Sequence, residues 1–399
     1  MTPAPWTRLS GATHAVALEV LLRGPLPRSE LARRLDLSAG SLTRLAKPLL
    51  DSGLLVESGT SHESRAGRPT RPLDIVADAH RFIGAKITHE DVHAVVTTLR
   101  AEVVASARAD LPGRDPASVV AVLRSLAAEL VTRLGAQPAP GTPHITAAGV
   151  SLGGCVADHA TVTGAPFLEW DDDVPLGAML RDALAIPTAV DNDLLALTRA
   201  EHWFGAARSR DRFAVLTVGA GIGYGLVVHD RVVDSPDAGV GLLGHFPLDP
   251  LGPPCPRGHR GCATAMLSMA SLRAAASVGL RRDVSYEECL DLAAAGDPVA
   301  GPLVTASGRA LGRLIAAVAN LTLTTEIVLT GEGVRLAEVA REALREGLAY
   351  DRDPRAADVS LDVRPVDFAL WARGAAVTAI QAYVLGNRRR TGLRRPSGD

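Results

Sequence analysis

A pattern of three short strands followed by helices occurs twice in the sequence, and it constrains the fold more than any other feature. Apolar periodicity predicts the two sets of strands at 82–87, 93–99 and 102–105, and at 213–218, 225–229 and 232–234. Helices are predicted at 117–134 and 193–204 after the first set, and after the second set at 263–278, 286–295, 298–323, 336–348 and 370–385. Two such copies predict two α/β lobes with a cleft between them.

Length and composition agree with this plan. At 399 residues the chain exceeds one ordinary domain, which favours two or three. Its 47% hydrophobic and 22% charged residues supply a sizeable core and exclude wholesale disorder. Four cysteines are too few for a disulfide scaffold. The sequence has neither a long uncharged apolar run nor a signal-peptide pattern. These features predict a cytoplasmic protein that does not contact a membrane.

The first 75 residues differ from the rest in charge and in periodicity. They carry ten basic and seven acidic residues, while the whole chain has a net charge of −2. Helical spacing of apolar residues predicts short helices around 15–22, 29–35 and 38–49, and a tight turn at Asp36-Leu37 separates the last two. Helices joined so closely are typical of a helix-turn-helix. Ser38 has the position and the chemistry of an N-cap for the third helix.

The third helix has the composition of a recognition helix. Leu42, Leu45 and Leu49 form its apolar face. The short polar and basic side chains away from that face suit the major groove of DNA; they are Ser41, Thr43, Arg44 and Lys47. Pro48 should kink this helix or end it early, because a proline inside a helix removes a backbone donor.

Two strands predicted at 53–57 and 73–75 would form a wing after the helix-turn-helix. The polar stretch between them contains Arg65 and Arg68 beside a glycine and a proline, so an extended backbone could deliver both arginines to a narrow minor groove. Helix order, polar surface and wing together favour DNA binding. The alternatives are a winged helix that binds a protein and a helical cap with a solvated basic face.

Three turns at strand ends are candidates for ligand binding. The glycine-rich run 219–225 could bring backbone N–H groups to an anion or a sugar, or could be only a hairpin. Gly331-Glu332-Gly333, between a buried strand and a helix, is a second candidate nucleotide turn. In Asp191-Asn192-Asp193, a carboxylate could take a proton from a sugar hydroxyl, or the motif could simply cap the helix that follows.

One histidine and two cysteines mark a candidate metal site. His245 precedes a glycine-containing segment bounded by Cys255 and Cys262, and these three residues read as ligands of a structural zinc ion. Zinc usually takes four ligands, so His259 could be the fourth, or Arg257 could occupy its place. The alternative is a reduced loop without metal.

Together these motifs resemble the ROK family (repressors, open reading frames and kinases), in its winged-helix repressor branch, over about residues 12–387. The run Gly149–Gly154 is similar to the family's substrate-loop glycines, and Asp191-Asn192-Asp193 to its catalytic-base motif. Gly244-His245 and Cys255-x-x-Gly258-x-x-Gly261-Cys262 are similar to its zinc loop. The resemblance implies an actin-like (hexokinase-like) two-lobed ATPase-type domain. The ligand-binding residues it implies are Gly153, Asn192, Asp193 and His245.

The sequence also departs from the family pattern at positions that a kinase needs. In the first phosphate motif Lys86 stands where the family has an aspartate that organises metal and phosphate, and the glycine turn is missing. Two glutamates that hold sugar hydroxyls are replaced by Leu242 and Thr264, and the middle zinc cysteine by Arg257. These departures predict that the chain is not an enzyme and does not bind ATP.

The expected organisation is α/β with an N-terminal winged helix-turn-helix at 1–76, a ROK two-lobed effector and oligomerisation domain at 77–387, and a basic disordered tail at 388–399. We predict a homodimeric or tetrameric transcriptional regulator, a repressor, that binds an inverted-repeat operator in double-stranded DNA. It would control carbohydrate-related genes and sense a sugar-like or other small ligand. The alternatives are a sugar kinase with an appended DNA-binding domain and a regulator controlled by a protein partner.

Overall fold

The computed structural model describes residues 6, 9, 11–59, 71–135, 145–235, 237–365 and 367–386. Arg65 and Arg68 of the predicted wing and the predicted tail at 388–399 lie outside the described residues. The chain forms two compact units: the first contains Met1–Leu152, Val156–Ala196 and Ala372–Asp399, and the second contains Gly153–Cys155 and Leu197–Trp371.

The first unit begins with three helices and two strands in the predicted order. They are α1 (Gly11–Arg23), α2 (Arg28–Arg34), α3 (Ala39–Asp51), β1 (Leu55–Glu57) and β2 (Leu73–Ile75). We call these five elements the winged helix. β1 and β2 pair antiparallel, with Leu55 opposite Ile75. The turn between α2 and α3 places Asp36 at φ 53°, a conformation that aspartate tolerates better than most residues.

α3 is longer than its proline led us to expect. Ser38 caps it as predicted, since its Oγ accepts a hydrogen bond from the Ser41 backbone N–H at 3.2 Å. Pro48 was expected to kink the helix or to end it early; the second outcome was wrong, because α3 continues to Asp51. The proline removes one backbone hydrogen bond in the last turn. Leu49 is 1% exposed one residue later, and its burial offsets that loss.

The rest of the first unit is a five-stranded sheet with helices. Its elements are β3 (Arg81–Ile87), β4 (Asp91–Thr97), β5 (Val103–Asp110), α4 (Pro116–Arg133), β6 (Ile145–Leu152), β7 (Cys155–Ala157), β8 (Thr161–Gly164), α5 (Leu176–Leu184) and β9 (Thr188–Asn192). The next helix, α6 (Asp193–Phe204), starts in this unit and from Leu197 onwards belongs to the second unit, as does Cys155 of β7. The strand order is β5-β4-β3-β6-β9. β3, β4 and β5 form an antiparallel meander, while β6 and β9 add in parallel.

The second unit repeats this topology. Its elements are β10 (Arg212–Val218), β11 (Ile222–Val228), β12 (Arg231–Val232), α7 (Ala263–Leu267), α8 (Met269–Leu280), α9 (Tyr286–Ala294), α10 (Ala300–Thr322), β13 (Glu326–Thr330), α11 (Leu336–Val339), α12 (Arg341–Tyr350) and β14 (Ser360–Val363). The last helix, α13 (Phe368–Leu385), starts in this unit and from Ala372 onwards belongs to the first unit. The order β12-β11-β10-β13-β14 matches the first sheet strand for strand. The predicted duplication is therefore present, and the central strands β3 and β10 are buried on both faces.

Two helices predicted as continuous are broken. The helix predicted at 263–278 is divided into α7 and α8 at Ser268, whose Oγ accepts from the Ser271 backbone N–H and so starts a new helix. The helix predicted at 336–348 is divided into α11 and α12 at Ala340. β7, β8, α5 and β14 had no counterpart among the predicted elements. They are short, so periodicity carries little signal for them.

α13 lies directly against the sheet of the first unit. A Cβ at Gly84 would stand 2.1 Å from the carbonyl oxygen of Ala372, and a Cβ at Gly149 would stand 1.8 Å from that of Ala375. Glycine at these two positions therefore allows the helix backbone to approach β3 and β6. Among the described helices α13 alone is long and apolar enough to cross a membrane, but this packing is that of a core helix.

Candidate functional site

The residues predicted to read DNA lie on the outer face of α3. Thr43, Arg44 and Lys47 are exposed, and Ser41 is half-buried. The opposite face packs into the winged helix through Leu42, Ala46 and Leu49. Two of the polar side chains are engaged within the helix: Ser41 Oγ accepts from Ser38 Oγ at 3.0 Å, and Thr43 Oγ1 donates to the Ala39 carbonyl at 2.9 Å.

The basic residues of α2 and α3 differ in their partners. On α2, Arg33 and Arg34 both pair with Glu30, at 2.7 Å each. On α3, neither Arg44 nor Lys47 forms an ion pair with any described residue. The positive charge of α2 is therefore largely neutralised within the protein, whereas Arg44 and Lys47 of α3 are exposed and have no such pairing within the described part of the chain.

The motif Asp191-Asn192-Asp193 joins β9 to α6. Asn192 caps the helix, because its Oδ1 accepts from the backbone N–H groups of Leu194 at 3.0 Å and Leu195 at 3.2 Å. Asp191 is 2% exposed, and its Oδ2 accepts from Thr378 of α13 at 3.1 Å. Helix capping, which the sequence left open, is thus one role of this motif.

Lys86 and Asp193 form a buried ion pair. Lys86 Nζ donates to Asp193 Oδ2, and the two side chains are 9% and 18% exposed. Sequence reasoning placed Lys86 at the phosphate motif and Asp193 at the base position, but it did not join them. One signal was available: a lysine inside a buried strand must find a counter-charge, because burying an unpaired ammonium is costly.

The other predicted ligand-binding residues belong to the second unit. Gly153 follows β6 directly in the sequence and is half-buried. His245 ends a short 3-10 turn, Leu242–His245, with its ring partly buried. Leu242 on the same turn is 65% exposed. Thr264 donates its hydroxyl to the Gly244 carbonyl at 2.7 Å, so it supports the turn from within.

Both glycine turns of the second unit are close to a carboxylate. Glu332 lies between Gly331 and Gly333, and its Oε2 would stand 2.3 Å from a Cβ at Gly219. Its Oε1 accepts from Trp371 Nε1 at 2.8 Å. Backbone turns of this kind suit an anion only while their N–H groups face it. Here a negative side chain already lies against the Gly219 turn.

The structure brings four candidate metal ligands together. The ligand atoms of His245, Cys255, His259 and Cys262 all lie within 4.8 Å of one another. Cys255 Sγ is 3.7 Å from His245 Nδ1 and 3.6 Å from His259 Nδ1, and Cys262 Sγ is 3.7 Å from His245 Nδ1. The cluster contains the three predicted ligands, and His259 rather than Arg257 is the fourth member.

These distances fit a tetrahedral ion. Sulfur at about 2.3 Å and nitrogen at about 2.0–2.1 Å from a tetrahedral centre stand about 3.6 Å apart. The loop geometry depends on Gly258 at φ 85° and Gly261 at φ 53°, and a Cβ at Gly261 would meet the Asp249 carbonyl oxygen at 1.6 Å. The residues between Cys255 and Cys262 therefore fold tightly enough to hold four ligands around one point.

The titration of His245 and Cys255 favours metal ligation, whereas burial raises the pKa of Cys262 and opposes its thiolate. Burial lowers the pKa of His245, and the nearby positive charges of Arg257 and His259 lower it further, so the neutral imidazole is favoured. Burial opposes the Cys255 thiolate, but backbone N–H groups of Arg257 and His259 outweigh it and lower the pKa of Cys255. Neutral imidazole and thiolate are the forms that bind zinc.

Comparison with known proteins gives consistent results. The sequence profile of the ROK family matches residues 82–357. Over 341 residues the chain is 22% identical to the DNA-binding transcriptional repressor Mlc of Escherichia coli, covering 83% of each chain. It is 23% identical over 280 residues to the xylose repressor of Bacillus spizizenii, covering 70% of this chain and 71% of that protein.

Solved structures extend the likeness to the whole fold. A ROK family transcriptional regulator, described as a homologue of the E. coli Mlc protein, superposes with a TM-score of 0.78 at 23% identity and covers 94% of this chain and 97% of its own. The ROK hexokinase of Thermus thermophilus superposes with a TM-score of 0.62 at 26% identity, covering 75% of this chain and 97% of its own. The predicted actin-like α/β fold is therefore confirmed. Regulators and kinases share it, so the fold by itself does not choose between them.

Proposed function

The chain belongs to the ROK family, and from this premise we propose that it is a DNA-binding transcriptional repressor of carbohydrate-related genes. The observation that carries the proposal is the outward-facing pair Arg44 and Lys47 on α3, which has no ion-pair partner among the described residues. Arg44 would contact a base edge in the major groove, and Lys47 a phosphate. Ser41 and Thr43 would contact the same groove, and Arg65 and Arg68 would enter the minor groove.

Selection from a random pool of double-stranded DNA tests this proposal. The full chain should enrich one sequence, and Arg44→Ala should weaken binding to it by about 1–3 kcal/mol, mostly at one base position. Arg33→Ala is the matched control, because it removes the same charge from the neighbouring helix, where Glu30 already neutralises it. The control should change binding by less than about 0.5 kcal/mol at the same salt concentration. Equal losses for the two variants, or no enrichment, would refute the assignment.

We also propose that the two-lobed domain is not an active kinase. Phosphoryl transfer needs a free base and a held phosphate. Asp193 is paired with Lys86, and Glu332 places negative charge at the turn where a phosphate would bind. Leu242 and Thr264 offer no carboxylate to a sugar. A coupled assay with ATP and glucose, N-acetylglucosamine, N-acetylmannosamine or xylose should show no turnover. A rate above about 0.1 per second, against the usual ~1–100 per second for kinases, would show that the domain is an active kinase.

For the cluster of the second unit we propose structural zinc. His245, Cys255, His259 and Cys262 would hold the ion, and its role would be to fix the loop. Metal analysis of protein purified without chelator should give close to one equivalent of zinc, and less than about one tenth would count against a structural role. Cys262→Ser should abolish binding. Cys289→Ser, a substitution of an equally buried cysteine on α9, should leave the metal content unchanged.

A ligand-gated repressor completes the proposal. Gly153, Asn192, Asp193 and His245 would contact a sugar-like or other small effector, and the protein would bind an inverted-repeat operator in the cytoplasm as a homodimer or tetramer. The domain bounds 1–76, 77–387 and 388–399 stay predictions. Effector-dependent release of the operator by one compound of a sugar and sugar-acid panel would support this gating. Release that requires a cell extract fraction containing protein would point instead to a protein partner.

A further inference from the structure

A single arginine of the effector domain contacts two elements of the winged helix. Arg100 lies in the turn between β4 and β5. Its Nη2 donates to the Val20 carbonyl at 3.0 Å and pairs with Asp74 Oδ1 at 2.5 Å, and its Nε donates to the Leu21 carbonyl at 3.4 Å. Val20 and Leu21 belong to the last turn of α1, and Asp74 is the middle residue of β2. The guanidinium of Arg100 thus links α1 and β2 of the winged helix to the effector domain.

The contacts of Arg100 depend on its charge and on its hydrogen-bond donors. The last four carbonyls of a helix have no intrahelical partner, and a cation at that end also meets the negative end of the helix dipole. Arg100 donates to two carbonyls at this end of α1, although the Val20 carbonyl also accepts from the Gly24 backbone N–H at 2.8 Å. Glycine at position 24 suits this close packing, since a Cβ there would stand 2.5 Å from the Val20 carbonyl oxygen and 3.0 Å from Arg100 Nη2. Asp74 also accepts from the Ile75 backbone N–H at 2.8 Å, which fixes its carboxylate towards the arginine.

The turn that carries Arg100 is itself held in place. Thr98 Oγ1 accepts from the backbone N–H groups of Arg100 at 3.2 Å and Glu102 at 3.3 Å. Arg373 of α13 donates to the Ala101 carbonyl at 2.8 Å. The backbone that carries the arginine is therefore held by hydrogen bonds on both sides.

A second contact between the winged helix and the effector domain lies at the other end of α1. His14 is 6% exposed, and its Nε2 is 2.8 Å from the Val384 carbonyl oxygen in the last turn of α13. A carbonyl only accepts, so His14 donates there. α13 therefore contacts the turn of Arg100 near its beginning and α1 near its end. It also contacts Asp191 of the proposed ligand motif through Thr378.

We propose that Arg100 is a positioning residue for operator recognition: it fixes the orientation of the winged helix relative to the effector domain. The inference rests on the proposed DNA-binding function. It adds to that function the residue that orients the winged helix. In a two-fold oligomer that binds an inverted repeat, the orientation of each winged helix sets the separation of the two recognition helices. Arg100 would thereby determine which spacing of half-sites the protein accepts, without touching DNA.

The experiment measures the preference of the protein for one spacing between the two half-sites of the operator. A residue that only stabilises the fold would not change this preference. The operator enriched by the wild-type full chain is rebuilt with one or two base pairs added to or removed from its centre. Each base pair turns one half-site by about 34° relative to the other. The wild type should prefer one spacing. In Arg100→Ala that preference should fall by about tenfold, the effect expected from losing charge-assisted hydrogen bonds. Binding to a single half-site should stay unchanged.

Two further variants make the test specific. Asp74→Asn removes the ion pair but leaves the carbonyl contacts, so it should relax the spacing preference in the same direction and by less. Arg355→Ala removes an arginine whose side chain is 90% exposed in the second unit, and it should leave the preference intact. Thermal melting of each variant shows whether the fold is retained.

The outcomes separate this inference from the function on which it rests. If the wild type enriches no DNA, the proposed function fails, and this inference with it. If the wild type binds without a spacing preference, or if Arg100→Ala and Asp74→Asn keep the wild-type preference, this inference is wrong while DNA binding stands. Equal loss of single-site and paired-site binding in Arg100→Ala would also overturn it, since that would show damage to the winged helix itself.

Discussion

Breaking the ion pair between Lys86 and Asp193 should destabilise the protein, and this result would be the opposite of what a catalytic base gives. Removing one partner of a buried pair leaves an uncompensated charge and costs about 3–5 kcal/mol where burial is complete. The side chains here are 9% and 18% exposed, so water reaches the pair to a small extent. We expect Asp193→Asn to cost about 3 kcal/mol, at the lower end of that range.

The two single variants should not be equal. Lys86→Met leaves Asp193 at the first residue of α6, where its Oδ1 accepts from the Leu194 backbone N–H at 2.8 Å. A carboxylate at a helix N-terminus is stabilised by up to about 1 kcal/mol, so Lys86→Met should cost about 2 kcal/mol. The double variant has neither charge. Its cost should be lower than the sum of the single variants by about 2 kcal/mol, as expected for two residues in direct contact.

Urea unfolding followed by tryptophan fluorescence and by far-UV circular dichroism measures these costs, provided that the two transitions coincide. Arg309 and Glu346 form the control pair, because their side chains are 52% and 61% exposed. Arg309→Met and Glu346→Gln should each cost less than about 0.5 kcal/mol.

Additive effects at Lys86 and Asp193, or a cost of Asp193→Asn below about 0.5 kcal/mol, would refute the reasoning. A neutral or stabilising Asp193→Asn is what an active site predicts, since active-site groups are commonly kept at a cost in stability. The experiment therefore bears on the kinase alternative independently of any turnover assay.

Three further predictions concern other parts of the molecule. Gly149→Ala should lower stability by about 3 kcal/mol or more, seen as a lower melting temperature, because its Cβ would stand 1.8 Å from the Ala375 carbonyl oxygen. Chelator treatment should lower the melting temperature of the wild type but not of Cys262→Ser, because a ligand stabilises only the protein that binds it. Burial opposes the Asp91 carboxylate, but hydrogen bonds from Thr88 and Arg108 and the charge of His93 lower its pKa. Its stabilisation is therefore present above an ordinary aspartate pKa of about 4 and is lost as pH falls through the lowered value, so Asp91→Asn should flatten the acidic limb of the stability profile.

The sequence was most informative where chemistry is local. Ser38 was predicted as an N-cap from its type and position alone, and its Oγ accepts the expected hydrogen bond. The start of α6 at Asp193 and the paired strands of the wing follow from the same kind of short-range signal. The repeated meander was visible because β3 and β10 are largely apolar strands at equivalent places.

Contacts between distant residues were not accessible in this way. Lys86 and Asp193 are separated by 107 positions, and a spacing pattern cannot join them. Arg100 is a single arginine in a polar turn, and nothing local marks it as a partner of α1 and β2. Breaks such as the one at Ser268 depend on whether tertiary packing favours a new cap over a continuous helix, and propensity does not decide that.

The burial of Lys86 has a practical consequence for chemical labelling. Arginine supplies all but two of the 42 basic residues, and the remaining two are Lys47 and Lys86. The side chain of Lys86 is 9% exposed and is paired with Asp193, while Lys47 is exposed on the face of α3 proposed to contact DNA. A reagent that acylates primary amines therefore finds one accessible lysine side chain, placed at the proposed operator surface. Its rate of modification at that lysine, read by peptide mass, would report operator occupancy on the native protein without an engineered label.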